Sequence, residues 1–214
     1  MKIARVTVGP FEENCYFVVD PESGRGVLVD PGDEATRIAR MVRDSGAQLD
    51  AIWLTHAHID HIGAVAGIKR EWDVPVYLHP ADAPLYAAGS RQAAFYGLDF
   101  DQPAAPERAF ADRDRVRVGL LEFEVIHAPG HSPGLVVLHG NGVVLGGDLL
   151  FAGSIGRTDL PLSNPADMEA SLARVMSLLA DDVVVHPGHG PATTIGRERV
   201  TNPFLNGQAR VLLK

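Results

Sequence analysis

The chain holds one cysteine, Cys15, so no disulfide can close within it. That is the pattern expected in a reducing compartment. Lysine and arginine form no run: the 19 of them are outweighed by 27 aspartates and glutamates, for a net charge of −8. A nucleic-acid backbone demands a positive footprint, so a stand-alone DNA or RNA binder is disfavoured. An anionic membrane surface is disfavoured on the same ground. No apolar run approaches the roughly 18 residues of a membrane span. The stretch from Met1 to Val8 lacks the apolar region and small-residue cleavage site of a secretory leader. The expectation is a cytoplasmic protein. Its 46 % hydrophobic and 21 % charged residues are ordinary for a soluble globular chain. With neither an internal repeat nor a linker, residues 1–214 are expected to form a single α/β domain.

Short apolar runs alternate with amphipathic stretches, the mark of α/β architecture. Ile3 to Val8, Tyr16 to Val19 and Val27 to Val29 are expected strands. Asp33 is placed to cap a helix carrying Ile38, Met41 and Val42, with Gly46 at its end. Ala51 to Leu54 is a short buried strand, and Ile62 to Trp72 a helix with Val65, Ile68 and Trp72 on one stripe. Val74 to Leu78 is a strand, put at a sheet edge by Pro75. Residues 81–111 lack a clean period and are expected to be short helices and loops. Four β runs follow, at 115–118, 121–127, 135–139 and 143–146. Asn164 and Pro165 open a helix with Met168, Leu172, Val175, Met176 and Leu179 buried. Val183 to Val185 is the last expected strand.

The chemistry is concentrated in His56-x-His58-x-Asp60-His61. Imidazole and carboxylate are the ligands preferred by zinc, iron and manganese. His56 and His58, two apart in an extended segment, share a face. Asp60 and His61 follow where the chain turns into a helix, so they can address an adjacent position. Three histidines and an aspartate within six positions, out of nine histidines in all, are a poor match to scattered loop polarity. His131, Asp148 and His189 each follow a strand and are flanked by glycine or proline. Those flanks bend the chain and let a side chain face a cleft. Singly each is weak; together with the heptapeptide they make a set.

These motifs, in this order and over nearly the whole chain, resemble the metallo-β-lactamase superfamily. The resemblance implies an αββα sandwich: two mixed β-sheets with helices on both outer faces and a metal site at one edge. It assigns His56, His58 and His131 to one divalent ion and Asp60, His61 and His189 to a second, with Asp148 bridging. Zinc is the expected metal, with iron or manganese as substitutes. Two such ions lower the pKa of a water held between them, so that a metal-bound hydroxide can attack at neutral pH. Asp60 and Asp148 are thus the expected catalytic residues. No serine or cysteine nucleophile is needed, and Cys15 is expected to be a small core residue.

The segment from Phe151 to Pro161, with the ending from Pro187-Gly188-His189-Gly190-Pro191 through Thr201-Asn202-Pro203-Phe204-Leu205, closely resembles compact bacterial glyoxalase II-like proteins. That implies hydrolysis of a small-molecule hydroxyacyl thioester such as S-lactoylglutathione. The larger glyoxalase II enzymes grip glutathione with a helical C-terminal domain for which too few residues follow His189, so another thiol carrier stays open. Ser154 and Arg157 are candidate substrate contacts; Arg157 either binds a carboxylate of the carrier or pairs with Asp159. His127 and His186 are candidates to orient ligands, as is Asp30 in the turn Asp30-Pro31-Gly32. Trp53 and Trp72 are expected in the core. The rival readings are a persulfide dioxygenase with one iron on His56, His131 and Asp148, and an inactive metal-binding module. Oligomeric state is not legible.

Overall fold

The computed structural model describes residues 1–211. The first half of the chain builds one six-stranded sheet from β1 (Lys2–Val8), β2 (Glu13–Asp20), β3 (Arg25–Val29), β4 (Gln48–Trp53), β5 (Val76–Leu78) and β6 (Arg108–Ala109), in that spatial order. The first two pairings are antiparallel and the last three parallel. The second sheet uses β7 (Arg115–Val118), β8 (Leu121–His127), β9 (Val136–Gly140) and β10 (Val143–Gly147). After a small ribbon, β11 (Leu150–Phe151) with β12 (Ser154–Ile155), it is completed by β13 (Val184–Pro187) and β14 (Thr193–Thr194), in the order β14-β13-β10-β9-β8-β7. Only β10 and β13 run parallel there.

Period-two alternation decides which side chains face which layer. Tyr16, Val18, Val27, Val29 and Trp53 point from the first sheet toward Phe123, Val125, Val136 and Leu138 of the second. Trp53 meets Phe123 edge to face at 5.7 Å. The intervening Cys15, Phe17, Leu28 and Ile52 point the other way. There they meet Ile38 and Val42 of α1 (Ala35–Ser45) and, beyond the four-residue α2 (Ile59–Ile62), Val65 and Ile68 of α3 (Val65–Lys69). Two short helices, α4 (Ala83–Ala87) and α5 (Gly89–Tyr96), follow a single 3₁₀ turn at Pro80–Asp82. On the outer face of the second sheet, Val137, Val144 and Val185 pack against Met168, Leu172 and Val175 of α6 (Pro165–Leu178). The chain then forms α7 (Ile195–Thr201). The layers are helix, sheet, sheet, helix, as expected. No described helix is long and apolar enough to cross a membrane.

Several local expectations need correction. The helix expected over Ile62 to Trp72 is two helices, and the first begins inside the His/Asp heptapeptide. Gly32 and Gly63 explain the break: a Cβ on Gly32 would overlap the Asp60 carbonyl, and one on Gly63 the Gly32 carbonyl. The Asp30-Pro31-Gly32 turn therefore lies directly on α2, and Ala64 N–H donates to Pro31 O (3.0 Å). Glu34, not Asp33, sits at the start of α1, in a left-handed conformation (φ 50) with its carboxylate accepting from Gly9 N. Strand β5 is not an edge, because β6 pairs with it and Pro75 lies just outside it. Val183 precedes β13, and β14 follows it. Trp72 is only half-buried.

Helix α6 keeps its expected N-terminus. The Asn164 side chain accepts from Ala166 N (2.9 Å) and Asp167 N (3.3 Å), and Pro165 takes the first helical position. Asn164→Ala is expected to lower unfolding stability by about 1 kcal/mol in urea titration. A change within a few tenths of the wild-type value would mean that the cap contributes nothing.

Candidate metal centre

The carboxyl ends of β3, β4, β8, β10 and β13 open toward one edge of the sandwich, and each feeds a loop of the candidate site. Asp30 leaves β3, and the heptapeptide leaves β4. His131 lies beyond β8, Asp148 directly follows β10, and His189 lies beyond β13. His58 is the extended residue that precedes α2, so Asp60 and His61 fall in the first helical turn.

All seven residues expected to bind metal come together. Ligand atoms of His56, His58 and His131 lie within 4.8 Å of one another, as do those of Asp60, His61 and His189. Asp148 stands between the two sets. Its Oδ2 lies 3.4 Å from His131 Nε2 and 3.5 Å from His189 Nε2, and its Oδ1 is 3.5 Å from His61 Nε2. Asp60 Oδ2 is 3.3 Å from His189 Nε2. Room for the carboxylate depends on Gly188, where any side chain would overlap Asp148 Oδ1.

Four of the five rings are engaged from behind, which aims their front nitrogens. His131 Nδ1 faces Arg157 O (2.8 Å), and His189 Nδ1 faces Phe11 O (3.0 Å). A carbonyl only accepts, so these nitrogens carry a proton and each Nε2 is turned toward the site. Asp30 governs two more rings. Its Oδ2 lies 3.0 Å from His61 Nδ1 and accepts from the Thr55 hydroxyl (2.6 Å); that hydroxyl in turn faces His56 Nδ1 (3.1 Å). Thr55 N–H binds Asp30 Oδ1 (2.7 Å), completing the clamp. His58 differs, with Nδ1 pointing inward, 2.8 Å from His131 Nε2.

Burial, followed by the neighbouring imidazoles, depresses the His56 pKa; burial and His131 bring His58 down to about 3. Both are therefore neutral, the form that binds a metal. Burial alone would raise the Asp148 carboxyl, but His61, then His131 and His189, hold it well below the usual carboxylate range.

The residues fit bound cations on a further observation. His56 Nε2, His61 Nε2 and Asp148 Oδ1 are buried and have no hydrogen-bond partner among the described residues. Buried polar atoms without partners are costly. Here they converge on one another, a geometry that cations relieve. The donor set, imidazole and carboxylate without thiolate, suits zinc, iron or manganese.

Four supports escape a local reading of the sequence. Asp82, fully buried, accepts from Ala57 N (2.9 Å), Ser132 Oγ (2.8 Å) and Gly134 N (2.5 Å), tying the His56–His58 segment to the His131 loop. Asn14 and Tyr16 hold the His189 loop through Pro187 O, at 3.1 and 2.7 Å. Glu13, 1 % exposed, places Oε1 3.9 Å from His61 Nδ1, and burial pushes its carboxyl up. Only an unusual run of polar residues at the head of an apolar strand, Glu13-Asn14, hints at this. His127 and His186, by contrast, do not orient ligands: His127 stacks on His79 and faces Pro133 O, and His186 packs on Tyr16.

The site floors a cleft walled on one side by α4 and α5 and on the other by the 151–162 segment. Ser154 and Arg157 both line it. The Arg157 guanidinium is paired with Asp159 through two bonds, 2.6 and 2.7 Å, and its carbonyl orients His131. Buried Glu198 and Asn202 brace this wall, binding Gly153 N (2.8 Å) and Ser154 O (3.0 Å).

The sequence profile of the metallo-β-lactamase superfamily matches residues 8–189. The chain belongs to that superfamily. Among its relatives is the probable metallo-hydrolase YqgX of Bacillus subtilis (strain 168), 36 % identical over 97 % of this chain and 99 % of that protein. The hydroxyacylglutathione hydrolase GloC of Haemophilus influenzae is 34 % identical over 98 % of this chain and 100 % of that protein. Among solved structures, TTHA1623 in a di-iron-bound form is 46 % identical, covers 94 % of this chain and 100 % of its own, and superposes with a TM-score of 0.87. Asp30 touches His61 directly and reaches His56 through Thr55, so it bears on two of the rings expected to bind metal. Asp30→Ala is expected to weaken metal affinity by roughly 10–100-fold in competition with a chromophoric chelator. Affinity equal to wild type would remove Asp30 from this role.

Proposed function

We propose that the protein is a binuclear metal-dependent hydrolase of acyl thioesters, of the class that includes S-lactoylglutathione. The observation that carries this reading is the convergence of His56, His58, His61, His131, His189 and Asp148 on the floor of a cleft, with His56 Nε2, His61 Nε2 and Asp148 Oδ1 buried and without a hydrogen-bond partner among the described residues. In the proposal His56, His58 and His131 hold one divalent ion, Asp60, His61 and His189 a second, and Asp148 both; zinc is preferred, with iron or manganese as substitutes. The di-iron form of TTHA1623 supports a two-ion site, and the similarity to GloC supports the thioester.

When bound, such ions supply Lewis acidity toward the substrate carbonyl and bring the pKa of a water toward neutrality. The chain's own groups do the rest. Asp148 and Asp60 carboxylates would orient the attacking water, and Asp60 would relay its proton to the departing sulfur. The water oxygen bonds to the carbonyl carbon and the carbon–sulfur bond breaks. The products are a carboxylic acid and a thiol; a thiolate leaves readily near neutral pH, so no strong general acid is required. Asp30 and Thr55 hold the rings fixed throughout, so that little reorganisation accompanies the charge development.

Purified metal-replete protein is expected to hydrolyse S-lactoylglutathione, and Asp148→Asn to lower kcat at least 100-fold while the circular dichroism spectrum is retained. Absence of turnover with any thioester would count against the reading. Uptake of dioxygen with glutathione persulfide would instead favour one iron held by His56, His131 and Asp148.

A further inference from the structure

The floor of the cleft is polar, and its rim gathers several exposed apolar side chains. The cleft has a volume of about 1030 Å³. Ala88, just before α5, and Arg91, Gln92 and Phe95 along it follow one another at helical spacing and all line it. Phe95 is 82 % exposed, and Tyr96 beside it 43 %. Across the opening, Leu160, Pro161 and Leu162 form the other lip; Leu162 is 58 % exposed and holds a left-handed backbone (φ 69) that a branched side chain rarely adopts. Outward-facing apolar groups gathered at the mouth of a cleft mark a surface for a ligand.

The polar side chains on these walls are largely committed. The Gln92 amide donates to Ala57 O (3.1 Å) and Leu85 O (2.8 Å) and accepts from Ile59 N (3.2 Å). Arg157 is neutralised by Asp159. Arg91 remains: among the described residues lining the cleft it is the cation with no carboxylate partner. Glutathione carries two carboxylates and an ammonium, each of which needs an opposite charge or several hydrogen bonds when it leaves water. The Arg91 guanidinium, the Ser154 and Tyr96 hydroxyls and an apolar lip supply a counter-charge for only one of them.

We infer that the cleft is built for a thioester that is mostly apolar and carries one anionic group, the apolar part lying between Phe95 and Leu162 and the anion on Arg91. This rests on the thioester-hydrolase reading and narrows its substrate class. S-lactoylglutathione is then a substrate, but a poor one.

Two measurements on the metal-replete full chain test this. The first compares kcat/KM for S-phenylacetyl-3-mercaptopropionate, its methyl ester and S-lactoylglutathione. The phenylacetyl acid is expected to exceed S-lactoylglutathione at least tenfold. Arg91→Ala should raise KM for the acid roughly tenfold relative to its methyl ester, and Phe95→Ala should raise KM for both by about fivefold. The second is calorimetric binding of 3-(phenethylthio)propanoate, a thioether that cannot be hydrolysed, with Arg91→Ala as the comparison. A preference for S-lactoylglutathione, or an Arg91→Ala effect equal on acid and methyl ester, overturns the inference. Arg91-dependent binding of the thioether without turnover of any thioester would sustain the cleft assignment and sink the hydrolase reading. Turnover of S-lactoylglutathione without thioether binding would do the reverse.

Discussion

The site depends on hydrogen bonds that fix imidazole rings from behind, so that five rings and two carboxylates can converge on one small volume. His58 Nδ1 lies 2.8 Å from His131 Nε2, and the Asp148 carboxylate lies within 3.5 Å of three imidazole nitrogens. Four of the five rings are fixed from the opposite side. Arg157 O, Phe11 O, Asp30 and Thr55 each hold an Nδ1 atom in place. With those atoms taken, the rings cannot turn away without breaking buried hydrogen bonds, each leaving a polar atom without a partner. The front nitrogens are held ready for cations by the backs.

The fold makes this affordable by delivering every element from strand ends. Parallel pairs β3–β4 and β10–β13 bring their carboxyl ends to one edge, where loops are free of ladder hydrogen bonds. Asp82 then joins the loops of the two sheets, and Asn14 and Tyr16 reach across from β2 to the His189 loop. These ties cross between segments far apart in sequence, so the site depends on the packed sandwich rather than on any one loop. The walls of the cleft come from separate, shorter pieces, α4, α5 and the 151–162 segment, and two of them are tied to the floor, through Gln92 to Ala57 and Ile59 and through Arg157 O to His131.

Much of the floor was legible because its signals are local. Histidines two apart before a helix, and Asn164 before Pro165, declare their geometry within a few residues. The layer order was legible for the same reason, since alternation along β2 and β9 repeats every two residues. What escaped is non-local. Asp82 sits in an aperiodic stretch, and its three partners come from two other segments. Glu13 extends β2 ahead of its apolar run, and only the tertiary fold brings it to His61. The break between α2 and α3 follows from contact between Gly32 and Gly63, about thirty residues apart in sequence. Strands such as β6 and β14 are two residues long and carry no period at all. Arg157 left two readings open, and the structure pairs its side chain with Asp159 while giving its carbonyl a task that composition cannot signal.

The central claim is that the seven converging side chains hold two ions, one on each side of Asp148. The measurement that meets it most directly is anomalous X-ray scattering, at the absorption edges of zinc, iron and manganese, from crystals grown with metal in excess. Two peaks are predicted, one among His56, His58 and His131 and one among Asp60, His61 and His189. A single peak, or none, in a correctly folded crystal would contradict the account.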